Sequence, residues 1–229
     1  MIAIVRFQTA AYVRSLRILP PLLVIVLIVF LMLLQRPGGP KAAELAVGTF
    51  GDVAAFMFPV WAWAARGLLD TPPDEQRALT ASTARRRSAP VWAGLSAAYL
   101  VNLGLGLVAL AAPLVHAISL GSPGSAVVAG CALTALVAAA GTLLGAWTSR
   151  AVLPSSGTSL LTLLGGAAAL ILLGLGPLAP LSVPMIDWLR AAHDGPDVFV
   201  SDFSGIALHL SLWTGLVGAA YIATDRFRS

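Results

Sequence analysis

The chain offers little with which to do chemistry. Its three histidines, His116, His193 and His209, are too scattered to suggest a metal site. The single lysine, Lys41, follows Gly38-Gly39-Pro40 and does not close a P-loop, and no G-x-S-x-G or H-E-x-x-H pattern occurs. Four acids, Asp187, Asp194, Asp197 and Asp202, stand close together. They lack the regular spacing of a calcium loop, so a solvated acidic surface is the simpler reading. With no paired nucleophile and base in view, the chain is not expected to be an enzyme. No metal, cofactor or nucleic-acid partner is expected of it either.

What remains are isolated polar residues in apolar surroundings, so the elements around them decide their meaning. The 229 residues are 58% hydrophobic and only 10% charged, against about 25% charged in a soluble domain. The mean hydropathy is +0.89. This is the composition of an integral membrane protein. A spanning helix needs roughly 20 mostly apolar residues. Six stretches qualify: about 18–34, 45–66, 90–117, 125–148, 158–178 and 203–223. The first is short, but Pro20 and Pro21 suit a first helical turn. A cleaved signal peptide is the alternative for residues 1–34; the apolar run is too long for it and no small-x-small site follows directly. Cys131 is the only cysteine, so no internal disulfide forms, and it reads as small core packing.

The arginines orient these spans. Eleven basic residues fall on one side: Arg6, Arg14, Arg17, Arg66, Arg77, Arg85, Arg86, Arg87, Arg150, Arg226 and Arg228. Three fall on the other: Arg36, Lys41 and Arg190. The positive-inside rule places the richer side, and with it both termini, in the cytoplasm. Trp61, Trp63, Trp92 and Trp147 fall near the cytoplasmic ends, as interfacial tryptophans do. Before the first span, Arg6, Arg14 and Arg17 fall within about 80° of one another on a helical wheel. That suits a helix lying on the leaflet, its arginines toward lipid phosphates. Pro20 disfavours helix at Leu19 and predicts a bend there. Residues 177–202 form the long outer connection, a helical hairpin in which MIDWLRAA is a short helix ended by Asp194-Gly195-Pro196. Trp188 is expected at headgroup level there.

Seven of the 24 charged residues sit in 70–87, DTPPDEQRALTASTARRR, the largest cytoplasmic element. Asp74 can cap a short helix from Glu75 to about Thr83. This is either an ordinary solvated loop or a docking helix for a soluble partner. Inside the spans, Asp52 is the lone acid, about 21 Å from the cytoplasmic end of its helix. An acid at that depth is costly and by default functional, unless it reaches outer water or caps a neighbour. Asn102 and His209 read first as interhelical hydrogen-bond partners. With Asp52 they are the candidates for a pathway or gate. Gly141-x-x-x-Gly145 has the spacing that lets helices approach closely.

The whole layout resembles the permease subunit of ABC-2 type ABC transporters. In that family the loop between spans 2 and 3 carries a Glu, a Leu four residues on, and a basic residue before span 3. Here these are Glu75, Leu79 and Arg85–Arg87. The usual Gly-Thr before the Leu is replaced by Arg77-Ala78, and the usual Pro-Ser-Arg by Thr83-Ala84-Arg85. The resemblance implies an all-α ABC-2 permease fold of six spans behind an N-terminal interfacial helix. It makes residues 70–87 the coupling-helix region, with Asp74, Glu75, Gln76, Arg77, Leu79 and Thr80 docking on a separate ATPase. Two ATPase subunits would hold ATP and Mg. A second permease chain, identical or homologous, would complete a pathway across a bacterial plasma membrane, with export the commoner direction. A haem-exporter-like permease and a non-transporting scaffold or immunity protein are the competing readings.

The arginine count makes a direct prediction. In a Cys131-free chain, cysteines at Ser82 and Ser201 label from opposite faces of the membrane with an impermeant maleimide. Labelling of both from outside overturns the six-span threading.

Overall fold

Small residues along one face of a helix let a neighbour's backbone come close, and two helices of this chain are built that way. A computed structural model describes residues 2–34, 38–39, 41–73, 75–76 and 88–228, with side chains as far as Thr224. Its helices are α1 (Ile2–Arg14), α2 (Leu19–Leu34), α3 (Ala42–Leu69), α4 (Ala89–Ala109) and α5 (Ala111–Ser119). They continue with α6 (Gly124–Trp147), α7 (Ser156–Gly174), a 3-10 turn (Ala179–Leu181), α8 (Met185–His193) and α9 (Pro196–Arg228). Among the described residues there is no strand. Five helices (α3, α4, α6, α7 and α9) are long and apolar enough to cross a membrane. Counting the bent pair α1–α2 as one span makes six.

The centre is α3, and its closest partner is α6. A Cβ on Gly141 would stand 2.8 Å from the Trp61 Cβ and 3.0 Å from the Phe58 carbonyl oxygen. One on Gly145 would collide with the Ala62 carbonyl. About three turns nearer the start of α6, Gly130 receives the ring of Phe50, 2.5 Å from where its Cβ would be. The small-residue pair legible in the sequence is therefore the end of a longer glycine face. The first half of α3 repeats the device toward another helix. Gly51 admits the Ala192 Cβ at 2.9 Å, and Gly48 lies under the His193 ring. Between these contacts Trp61, Phe50, Phe58, Met57 and Trp188 are fully buried. By contrast α2, α7 and α9 present leucines outward, among them Leu23, Leu161 and Leu216.

Several boundaries differ from the sequence expectation. The bend before α2 is real, at 75°. It is made by Leu16 in the left-handed region (φ 59), not at Leu19, which begins α2. Arg17 thereby leaves the helical register of Arg6 and Arg14 and does not share their face. With 16 residues, α2 is about 24 Å long, short of the roughly 30 Å hydrocarbon core. The third span divides at Leu110 into α4 and α5, because Pro113 offers no N–H to the Ala109 carbonyl and crowds it. The connection after α7 ends at Gly195 (φ 113), and Pro196 opens α9 seven residues before the expected start. Trp188 does not present its ring to headgroups, since its side chain is wholly buried within the protein. Trp61 is not interfacial either; it fills the slot opened by Gly106 and Gly141.

The glycine face predicts an asymmetry in tolerance. Gly145→Ala drives a methyl into the α3 backbone and costs about 1–3 kcal/mol. Gly165→Ala on α7, with nothing within 4 Å, costs none and gains up to about 1 kcal/mol of helix propensity. Thermal unfolding of the two variants in detergent micelles measures the difference. Equal stability would remove the α3–α6 contact from its central place.

Candidate functional site

Close packing of α8 on the Gly48–Gly51 face brings a histidine to Asp52, the acid that lies deepest in α3. His193 Nε2 lies 2.9 Å from Asp52 Oδ1. The Asp52 side chain keeps 31% of its exposure and His193 keeps 48%. The pair is a hydrogen bond with neutral imidazole and an ion pair with imidazolium. Asp52 is thus neither stranded in apolar surroundings nor free in water; it latches the re-entering helix α8 to α3.

Asn102 occupies the middle of the bundle and is fully buried. Its Nδ2 donates to the Trp61 carbonyl at 3.1 Å and to Thr142 Oγ1 at 2.9 Å. The Thr142 hydroxyl donates in turn to the Ala138 carbonyl at 2.7 Å. One amide so ties α4 to both α3 and α6. Its Oδ1 has no hydrogen-bond partner among the described residues. His209 sits elsewhere, on α9, with Nε2 3.1 Å from the Pro180 carbonyl. Asp52, Asn102 and His209 share no partner and do not converge on one cavity. Each holds a different pair of elements.

A groove on the side of the bundle runs along α6 between α4 and α9. It encloses about 640 Å³ and is walled by Trp92, Tyr99, Leu136, Thr142, Leu143 and Thr214, with Gly215, Gly218 and Ala219 keeping one wall low. Its hydroxyls are largely spent on their own surroundings. Tyr99 donates to the Ala135 carbonyl at 3.3 Å, and Thr214 to the Leu210 carbonyl at 2.6 Å. What remains is an apolar surface with few polar points, suited to an amphipathic chain. The sequence pointed to Trp92 as an interfacial residue and to Asn102 nearby, but not to a groove. The small residues at 215, 218 and 219 were the available signal.

At the arginine-bearing end, the charged stretch begins where α3 stops. Asp70 Oδ1 accepts the Arg150 main-chain N–H at 2.8 Å, and the Asp70 carbonyl accepts from the Arg17 guanidinium at 3.0 Å. Arg66 Nη2 donates to the Ser156 carbonyl at 3.1 Å. Glu75 is helical and exposed; Gln76 is half-buried. With Pro72, Gln76 lines a small cavity against Ala3, Phe7 and Gln8 of α1. Asp74, Arg77, Leu79 and Thr80 of the coupling segment lie outside the described residues, as do Arg85–Arg87. All three interfacial arginines are exposed, Arg6 and Arg14 on α1 and Arg17 in the turn after it, where its guanidinium donates to the Asp70 carbonyl.

The latch and the buried amide should differ in weight. Asp52→Ala and His193→Ala each cost about 0.2–1 kcal/mol, and the double variant costs no more than the larger single one. Asn102→Ala costs more, about 1–2 kcal/mol, because it unties three helices. Unfolding midpoints in detergent test both statements, and additive single effects at Asp52 and His193 would show the two to be uncoupled.

No protein-family model, no curated protein and no solved structure matches this chain.

Proposed function

We propose that the chain is the permease subunit of an ABC-2 type transporter, acting as an exporter with a separate ATPase. The observation that carries this reading is the placement of α8. A short helix between the last two long helices folds back and seats on α3 through Gly48 and Gly51, latched by Asp52 and His193. Such a re-entering helix belongs to the outer hairpin of that family. The bent α1–α2 unit and the charged stretch between α3 and α4 stand where the family has its surface helix and its coupling helix. The sequence has no nucleotide-binding motif, so ATP and Mg would be held by two partner ATPases.

In this arrangement the arginine-bearing end and both termini face the cytoplasm of a bacterial cell. Two permease chains, identical or homologous, meet across the membrane. The groove along α6 and the outward leucines of α9 are the apolar surfaces available for the partner chain and the transported molecule. ATP-driven closure of the ATPases moves the coupling segments and switches access from one side to the other.

The test lies in residues 70–87. A carboxylate at Glu75 would supply a polar anchor, and a coupling helix continued from it would carry Leu79 one turn on along the same face. Glu75→Arg combined with Leu79→Asp is expected to lower ATPase co-purification by about tenfold or more and to abolish ATP-driven transport, while the chain still inserts. Arg86→Ala does far less. Purification of the tagged chain with no ATPase at all would favour the scaffold reading, and a fully coupled double variant would place docking elsewhere.

A further inference from the structure

Three arginines from three separate elements line one cavity at the end of α3. Arg17 comes from the α1–α2 turn, Arg66 from α3 and Arg150 from the α6–α7 turn; Trp63, Gly67 and Asp70 complete the wall of about 250 Å³. From these observations we infer that the cavity is a binding site for a phosphate group, with the headgroup of an anionic lipid as its source. The inference does not depend on the transporter reading.

Charge is the first argument. The described lining carries three guanidinium groups and one carboxylate, an excess of two positive charges around an open cavity, with Arg66 sheltered and Arg17 and Arg150 exposed at its rim. Asp70 is also committed to the backbone, through the Arg150 N–H. The second argument is the state of the donors. The Arg66 side chain is only 13% exposed, yet its Nε makes no hydrogen bond and stands 3.7 Å from the Asp70 carboxylate. A guanidinium has five N–H donors in a rigid fork suited to phosphate oxygens. Arg17 uses one on the Asp70 carbonyl, and the Arg150 guanidinium makes no hydrogen bond or ion pair among the described residues. Donors from three directions are therefore available to one tetrahedral anion.

Size and position choose the source. A cavity of about 250 Å³, below the 300–1,000 Å³ usual for drug-sized ligands, takes a phosphate group, and its open side leaves room for whatever the phosphate is attached to. Trp63 is 36% exposed at its edge. Tryptophan in that state belongs at the headgroup layer, where a lipid phosphate is found. Basic pockets between helices at this level are suited to anionic headgroups.

Full-length protein in neutral detergent provides the test. Phosphatidylglycerol is titrated against its melting temperature, beside phosphatidylcholine at equal mole ratio and millimolar inorganic phosphate. The expected result is a saturable rise in melting temperature with phosphatidylglycerol and little with phosphatidylcholine. Arg150→Gln retains the main-chain bond to Asp70 and weakens apparent affinity about tenfold. Arg17→Gln, in a different element, does the same. Arg14→Gln, exposed on α1 outside the cavity, leaves it unchanged. An equal rise with inorganic phosphate, lost in the same two variants, upholds the anion site and names free phosphate as its source. Identical responses to the two lipids without a phosphate response, or unchanged affinity in both Arg150→Gln and Arg17→Gln, would overturn the site.

Discussion

Everything in this bundle is arranged around the contact between the backbone of α3 and the glycines of α6. In an apolar solvent, burying a leucine against another leucine gains little over leaving it in lipid tails. Helices are held there by dispersion at close range and by the polar groups they share. Gly141 and Gly145 give α6 that range, reaching the carbonyls of Phe58 and Ala62. The same closeness lets Asn102 on α4 reach both the Trp61 carbonyl and Thr142 with one amide. A wider α3–α6 spacing would move those two acceptors apart and leave a buried amide unpaired. Side-chain size on α6 therefore sets the geometry of a polar junction one helix away.

The consequence is an uneven molecule. Two thirds of the apolar core of α3 is buried, whereas only 17% of the corresponding stretch is buried in α7 and in α9. The packed unit is α3 with α4, α6 and α8. Of the outer helices, α7 rests on it through few points, such as Ser159 bonded to the Thr148 carbonyl, whereas α9 packs along α6, with Trp147 stacked edge-on against Tyr221 at 5.7 Å. An element held as lightly as α7 can shift without disturbing Asn102, and both outer helices stay largely uncovered. Their outward leucines require lipid or another chain to cover them.

Composition and hydropathy made the long helices legible, because length and apolarity are local properties. Where helices stop was less so. Leu16 turns left-handed although nothing in its type asks for it, and the bend expected at Pro20 moves with it. Pro113 breaks a span that hydropathy alone reads as continuous. Tryptophans misled for a related reason. A tryptophan near a span end reads as interfacial, but Trp61 is drawn inward by the absence of side chains at Gly106 and Gly141 on two other helices. Asp52 was visible as an acid in the wrong solvent. Its partner His193 was not, since only the fold brings α8 back to α3.

The arginines show the limit of counting charges and what the fold adds. For orientation, Arg14, Arg17, Arg66 and Arg150 are equivalent; in three dimensions they are not. Arg14, Arg17 and Arg150 are all exposed, yet Arg17 and the Arg150 backbone both bind Asp70, and the sheltered Arg66 holds the start of α7 through Ser156. Asp70 is also the first residue of the charged stretch and the last hydrogen-bonded position of α3. A force applied to residues 70–76 thus meets the α1–α2 turn, the α6–α7 turn and the end of α3 at a single residue. It cannot displace that stretch without breaking those bonds or carrying the three elements along. If a soluble motor does grip this stretch, its stroke enters the bundle at the end of the best-packed helix. The lightly held α7 is then the part free to respond.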